Sequence, residues 1–386
     1  MDARTISLVR TTFKAVAAVE GGPEKLTRSF YAILFARNPG VRDFFPASME
    51  TQRDKLVTAI GYAIDQLEDL DRLLPFLAQL GRDHRKYGVV DAHYAAVGDA
   101  LITAIEQFAG NEMWTDEVDS AWREVIAVMA GTMIEAADAD DGPPVWQATV
   151  VDHQRVLDDV SVVRLMLDEP LDYSAGQYVS VSIPSRPRMW RYLSPAIPAN
   201  AAGEIEFHIR RVSGGWVSPA LVGSTAIGDR WTLGSPLGSM TRHTAQGRDR
   251  LLIASGTGIA PIRSQLMEMA LRTDNPRVHV FYGGRYPCDL YDLPTLQQIA
   301  AINPWLSVVG IVEEETDPWW YDGPRYPTAA GGSSPIVGQI GRVVAEFGAW
   351  TDRDIQIVGS PSMINTTKFR LQGAGVDLQA VRHDPW

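Results

Sequence analysis

The sequence lacks the features of secreted, membrane and nucleic-acid-binding proteins. Its single cysteine, Cys288, excludes an internal disulfide, and its first ten residues contain no basic stretch followed by a hydrophobic run of the kind that directs export. No apolar run approaches the length that spans a membrane. The formal net charge of -12, without a basic cluster, argues against binding to nucleic-acid phosphates. We therefore expect a cytoplasmic protein that binds small molecules.

The 386 residues are enough for two or three domains, and 45% hydrophobic with 21% charged residues is ordinary for a soluble protein. Residues 1–137 have helical spacing of apolar positions, and the acidic, Gly-Pro-rich residues 138–145 predict a linker. Residues 146–245 contain short β-rich runs typical of an antiparallel barrel or sandwich. Strands and helices alternate over 246–386. This pattern predicts a multidomain chain with an all-α domain, an antiparallel β domain and a doubly wound α/β domain.

One histidine lies on an otherwise apolar helical face in "QLGRDHRKYG". Leu73, Leu77 and Leu80 share the three- and four-residue spacing of His84, so all four side chains lie on one buried stripe. A lone histidine there is more often a hydrogen-bonded core residue than a ligand. Only His84 and His93 precede the linker, however, so His84 is the candidate if this domain holds a metal cofactor.

The residues upstream of His84 resemble a known family. Tyr31, Phe45, Gln52 and Leu56 precede it in the order and approximate spacing of the haem-pocket residues of globins, and specifically of bacterial flavohaemoglobins. The resemblance implies that His84 is the proximal ligand of haem b, that Phe45 packs on the porphyrin, and that Leu56 lines the pocket. It makes Tyr31 and Gln52 the polar pair on the open side, where a phenol donor stabilises dioxygen that carries partial negative charge.

The resemblance also implies two residues that orient the proximal histidine. Tyr94 matches the family tyrosine, and Glu135 is the nearest carboxylate for the family glutamate, although it is displaced along its helix. Asp83 departs from the pattern, because the family usually has a basic residue there, and an acid beside the ligand is expected to change the redox potential of the iron.

The segment "RMWRYLSPAIP" resembles the Arg-x-Tyr-Ser flavin signature of ferredoxin reductase-like domains. By this resemblance Arg191 pairs with the FAD pyrophosphate and Ser194 bonds the isoalloxazine. Leu193 occupies the tyrosine position, while its neighbour Tyr192 is expected to point to the opposite face of the strand. Tyr178, in "GQYVSVS", matches another flavin contact. The turn in "SGGWVSPAL" supplies further candidates, although any one of them alone is more often structural: Gly214, Gly215, Val217 and Ser218.

The segment "LLIASGTGIAPIRSQL" reads as a strand, a glycine turn and a helix whose free amide groups can bind a dinucleotide pyrophosphate. "IVGSPSMI" matches the second nicotinamide loop of the family, with Val358 where a cysteine is usual. Arg285 follows the next strand, where a 2'-phosphate would lie, yet a solvated loop arginine is equally common, and we favour NADH. The predicted NAD(P)H contacts are Gly256, Thr257, Gly258, Ile259, Ala260, Pro261, Gly359, Ser360 and Pro361.

The final residue, Trp386, resembles the C-terminal aromatic ring that covers the flavin in this superfamily. The whole resemblance implies a monomer or weak dimer in which NAD(P)H reduces FAD, FAD reduces haem, and dioxygen reacts with nitric oxide to give nitrate. Because hydride carries two electrons and iron accepts one, the flavin is needed as a converter. The departures from the pattern leave two alternatives, another oxidase or peroxide reductase activity and a gas or redox sensor.

Overall fold

The computed structural model describes residues 1–238, 240, 247–323 and 334–384. The chain divides into two compact units, residues 1–145 with 187–189 and residues 146–186 with 190–386. Within the described ranges, no helix combines the length and the apolar character that a membrane crossing requires.

The first unit is entirely helical. Some of its helices start at polar caps: Asp2 accepts a hydrogen bond from the Thr5 amide, and Thr115 accepts one from the Val118 amide. Their apolar faces form one core that includes the fully buried Trp122. The helices are α1 (Ala3–Ala18), α2 (Gly22–Arg37), α3 (Glu50–Asp65), α4 (Leu70–His84), α5 (Asp91–Ala109) and α6 (Asp116–Asp138).

The second unit begins with an antiparallel six-stranded sheet in the order β4-β3-β6-β1-β2-β5. A bridge between Pro195, just after β4, and Phe207 on β5 brings the two edge strands together, so the sheet is a nearly closed barrel. The elements are β1 (Val145–Leu157), β2 (Val160–Leu167), β3 (Val179–Ser182), β4 (Arg191–Leu193), β5 (Glu204–Arg210), α7 (Ser218–Gly223) and β6 (Arg230–Gly234).

A parallel sheet in the order β10-β9-β8-β7-β11-β12 follows, with helices on both faces. Leu252 on β7 packs in the core that contains α8 and α9, whereas its neighbour Leu251 packs in the core that contains α10 and α11. The elements are β7 (Arg250–Ser255), α8 (Ile259–Ala270), β8 (Val278–Gly284), α9 (Leu293–Ile302), β9 (Leu306–Val312), β10 (Ile336–Val337), α10 (Ile340–Phe347), β11 (Asp354–Val358), α11 (Pro361–Gly373) and β12 (Val381–Arg382).

The predicted fold class is confirmed in all three parts, and the β domain is a barrel rather than a sandwich. In the parallel sheet, β7 lies between β8 and β11, and its two neighbours are reached by crossovers on opposite faces. Ligands of doubly wound sheets bind at such a switch point, beyond the carboxyl ends of the strands. The sheet order therefore places a binding crevice after Ser255 and Val358.

Candidate functional sites

His84 is the last residue of α4 and is held in one orientation by its own helix. Its Nδ1 lies 2.7 Å from the Leu80 carbonyl oxygen, which can only accept, so Nδ1 carries the proton and donates. The lone pair is thereby left on Nε2, which bonds to no residue that the structure describes. Burial lowers the pKa of His84 and keeps the ring neutral. A neutral imidazole with an available Nε2 is the form that binds haem iron.

The close crossing of α4 and α6 fixes the position of this helix end. A Cβ on Gly81 would lie 2.1 Å from the Met133 carbonyl oxygen, so no larger residue fits. Tyr94 lies near the predicted ligand, with its ring centroid 6.5 Å from that of His84. Glu135 is exposed, and its side chain makes no hydrogen bond or ion pair with any described residue, so the structure does not bring it to His84.

The acidic residue beside the ligand is neutralised locally. Asp83 is buried, and its carboxylate lies 2.6 Å from Nζ of Lys86, whose side chain is also buried. A buried ion pair of this kind carries no net charge, so its field at the neighbouring histidine is much weaker than that of a lone carboxylate. The local charge beside His84 is therefore close to zero rather than negative.

The predicted polar pair is present in the same core. Tyr31 is buried, and its hydroxyl is hydrogen-bonded to the side chain of Gln52. Burial is the main cause that raises the pKa of Tyr31 to about 12, so the hydroxyl keeps its proton and remains a donor. Phe45 packs edge-on against the Tyr31 ring with centroids 5.4 Å apart, and Leu56 packs against the same core.

Flavin and nicotinamide candidates meet in a cleft of about 610 Å³ in the second unit. Both Tyr192 and Leu193, consecutive residues of β4, line it. The Tyr192 ring also packs edge-on against Tyr178, with centroids 5.0 Å apart. The other predicted residues that line this cleft are Ser194, Gly256, Thr257, Gly258, Ala260, Pro261, Arg285, Gly359 and Ser360.

Arg191 has the surroundings expected of a residue that binds an anion. Its guanidinium is half-buried, and its Nη1 donates to the Trp190 carbonyl at 2.9 Å, but it forms no ion pair in the described parts of the chain. Burial without a carboxylate partner lowers its pKa, a cost that a pyrophosphate would remove. Arg191 does not itself line the cleft.

The glycine turn before α7 is also formed. Gly214 has φ +74°, which favours glycine, and Ser218 closes the loop by accepting a hydrogen bond from the Val212 amide at 3.0 Å. Val217 is buried beneath the loop. Gly215 lies beside Ser218, and none of the four predicted turn residues lines the cleft.

The two nicotinamide loops meet because β7 and β11 are adjacent strands. A Cβ on Gly258 would lie 2.6 Å from the Val358 carbonyl oxygen, and one on Gly359 would lie 2.5 Å from the Ser255 hydroxyl oxygen. Ser360 caps α11 by accepting a hydrogen bond from the Met363 amide. The helices α8 and α11 begin here, at Ile259 and Pro361, so their free amide groups suit a pyrophosphate.

Sequence reasoning missed several cleft residues, among them His208 and Arg210 on β5 and Asp289 after β8. Arg210 donates to the Asp289 carboxylate at 3.0 Å, and that carboxylate also accepts from the backbone amide of Arg285. A signal was available, because Glu206, His208 and Arg210 alternate along a strand whose interior is otherwise apolar.

Trp386 lies outside the described residues. The last described residue, Asp384, is buried, and its carboxylate lies 3.3 Å from the position of a Cβ on Gly238, which would also meet the ring of Tyr178 at 3.0 Å. The described end of the chain is therefore close to a predicted flavin contact.

Comparison with known proteins divides the chain in the same way. The globin family model matches residues 28–133, the oxidoreductase FAD-binding domain model matches 147–241, and the oxidoreductase NAD-binding domain model matches 252–368. A flavohemoprotein of Bacillus subtilis (strain 168) is 24% identical over 402 residues, which cover 100% of this chain and 97% of the relative.

Two solved structures share the fold. The flavohemoglobin of Malassezia yamatoensis, with bound FAD and heme, has a TM-score of 0.81 at 17% identity and covers 99% of this chain and 98% of its own. The FAD/NAD-binding domain of a nitric oxide dioxygenase from Vibrio cholerae O1 biovar El Tor has a TM-score of 0.52 at 19% identity, and the match covers 62% of this chain and 97% of that domain.

Proposed function

Because this chain belongs to the flavohaemoglobin family, with a globin domain followed by FAD-binding and NAD-binding oxidoreductase domains, we propose that it is a nitric oxide dioxygenase. Its cofactors are haem, FAD and a nicotinamide dinucleotide, and the reductase module supports electron transfer to haem. The substrates under this proposal are nitric oxide and dioxygen, with nitrate as the product.

The observation that carries the proposal is the buried Tyr31 hydroxyl, which is hydrogen-bonded to Gln52. It lies in the same helical core that holds the Tyr94 ring beside His84. A protonated phenol in a dry pocket favours dioxygen over an uncharged gas, because dioxygen bound there gains partial negative charge. A chain that retains dioxygen and carries its own reductase has what this oxidation needs.

Each part of the chain has a defined task under this proposal. His84 would hold the haem through Nε2, with Phe45 and Leu56 packed around the ring. Arg191 would bind the FAD pyrophosphate, and Ser194 would bond its ring system. When bound, haem supplies an iron that accepts one electron at a time, and FAD converts a hydride into single electrons. The protein's own residues bind the cofactors, orient them and exclude water.

Electron balance defines the test. Each nitric oxide and dioxygen pair needs one electron to become nitrate, so one NAD(P)H, which gives two, should yield two nitrate ions. The purified protein is supplied with NADH, dioxygen and pulses of nitric oxide, and nitrate and NADH are both measured. The proposal predicts this ratio. NADH consumption that yields peroxide without nitrate would favour another oxidase, and tight gas binding without turnover would favour a sensor.

The finer expectations stay predictions. They are a cytoplasmic location, a monomer or weak dimer, a preference for NADH, and domains that span residues 1–137, 146–245 and 246–386 with a linker at 138–145. Arg285 bears on the preference, because it lines the cleft while its guanidinium lies 5.1 Å from the centroid of the Tyr286 ring. An arginine stacked in this way is partly withdrawn from a 2'-phosphate, which is consistent with NADH.

A further inference from the structure

A buried polar cluster joins the barrel to the parallel-sheet lobe of the second unit. Glu206 and His208, on β5, are only 1% and 5% exposed. Arg263 on α8 and Tyr291, just before α9, contact them from the other side. Burying such groups is costly unless each has a partner. Neither its histidine nor its glutamate has a task in the proposed reaction.

Both ring nitrogens of His208 have partners, and Nε2 has two of opposite kind. Nδ1 lies 3.0 Å from the Tyr291 hydroxyl oxygen. Nε2 lies 3.1 Å from Oε1 of Glu206, which can only accept, and 3.0 Å from Nη1 of Arg263, which can only donate. A neutral ring can accept from Arg263, and a protonated ring can donate to Glu206. Nε2 therefore has a donor beside it when it is neutral and an acceptor beside it when it is protonated.

The carboxylate that faces Nε2 is held ionised. Burial alone would raise the pKa of Glu206, but the hydrogen bond to His208 and the charge of Arg263 outweigh it and hold the pKa at about 2. Nε of Arg164, on β2, also donates to this carboxylate at 2.6 Å. Glu206 is therefore ionised at any physiological pH and can accept a hydrogen bond from a protonated Nε2.

The remaining charged groups around the cluster are largely paired. Asp292, beside Tyr291, lies 3.7 Å from Arg263, and burial raises its pKa. Arg210, further along β5, forms ion pairs with Asp289 at 3.0 Å and Asp159 at 3.5 Å. Because these charges offset one another, an added negative charge in the adjoining cleft would be compensated most directly by protonation of His208.

His208 lines the cleft together with Tyr192, Ser194 and Gly258, which are predicted flavin and nicotinamide contacts. We propose that His208 is the residue that binds the compensating proton when the flavin is reduced. A hydride brings two electrons and one proton, so the flavin gains one negative charge, and one proton from water adds to Nε2 of His208. The inference rests on FAD occupying this cleft. It deepens the proposed function by assigning the proton that accompanies electron entry.

Proton binding linked to reduction must appear as a pH-dependent reduction potential. A unit charge about 10 Å away at an effective dielectric of about 20 changes proton affinity by roughly tenfold. The full-length, flavin-loaded protein is titrated anaerobically with a reductant and reference dyes from pH 5 to pH 9, and the flavin potential is read from its absorbance band. We expect the plot of potential against pH to steepen over about one pH unit, and His208→Gln to remove that steeper interval.

His279→Gln is the matched control, because His279 is a histidine of the same unit on β8 that packs against Trp350 and does not line the cleft. This variant should leave the plot unchanged. Glu206→Gln should shift the steep interval to lower pH, since it removes the charge that stabilises a protonated ring. If His208→Gln loses its flavin, the shift in Glu206→Gln tests the proposal instead. A steep interval that is identical in the unmodified protein and in every flavin-retaining variant would overturn the proposal. The potential is an equilibrium property, so the result does not depend on whether nitric oxide is the substrate.

Discussion

Replacing Tyr31 with phenylalanine removes one hydroxyl from the predicted gas pocket and leaves the ring packed against Phe45. A hydrogen bond to a charged partner contributes about 1.5 to 3 kcal/mol, so dioxygen should dissociate roughly 10- to 150-fold faster from Tyr31→Phe. Carbon monoxide gains little negative charge, and its dissociation rate should change by less than about threefold. The ratio of the change in the dioxygen dissociation rate to the change in the carbon monoxide rate, rather than either change alone, shows whether Tyr31 donates a hydrogen bond to the bound gas.

The assay is stopped-flow displacement of each gas from the reduced protein, followed by the haem absorbance. Because burial raises the pKa of Tyr31 to about 12, above the ordinary value near 10, the dioxygen rate should stay constant up to about pH 10 and rise only as the donor is lost at higher pH. Tyr62→Phe is the control, since Tyr62 is an exposed tyrosine on α3 of the same unit. Equal changes in both dissociation rates would show that the Tyr31 hydroxyl does not face the bound gas.

Further substitutions and one deletion test the cofactor assignments. His84→Ala should abolish the haem Soret band while flavin fluorescence after denaturation persists, and a normal haem spectrum without added imidazole would make His84 a core histidine. Leu193→Tyr should retain more FAD on dilution, because one neutral hydrogen bond strengthens binding by about 0.5 to 1.5 kcal/mol. Loss of flavin from Tyr192→Phe with no gain from Leu193→Tyr would assign that contact to Tyr192. Deleting Trp386 should strengthen binding of oxidised nicotinamide and change the flavin absorbance band, and an unchanged band would place the chain end elsewhere.

Local periodicity was enough to predict the three kinds of domain. Helical spacing, β-rich runs and alternating strands and helices each depend on residues that are near in sequence, and these patterns survive folding because they decide which face becomes buried. His84 belongs to this class. Its Nδ1 bonds to the carbonyl of Leu80, four residues earlier on the same helix, so its availability as a ligand follows from local structure.

Sequence reasoning predicted the contacts of individual side chains less well than it predicted the domains. It predicted that Tyr192 and Leu193 point to opposite faces; both line the cleft, and which of them contacts the flavin stays a prediction. It identified an acid at Asp83 beside His84, and only the structure shows the ion pair that Lys86 forms with it. The role of Glu135 stays a prediction, although the structure leaves its side chain exposed.

Only the tertiary structure decided which distant residues share a site. Gly258 and Gly359 are about a hundred positions apart and meet because β11 pairs with β7, an order that no local pattern encodes. The alternation of Glu206, His208 and Arg210 was visible in the sequence, but its partners Arg263 and Tyr291 come from the other lobe. Local interactions determine which residues form each strand and helix, whereas the chemistry of the cleft depends on packing between those elements, where single contacts across long chain separations decide the outcome.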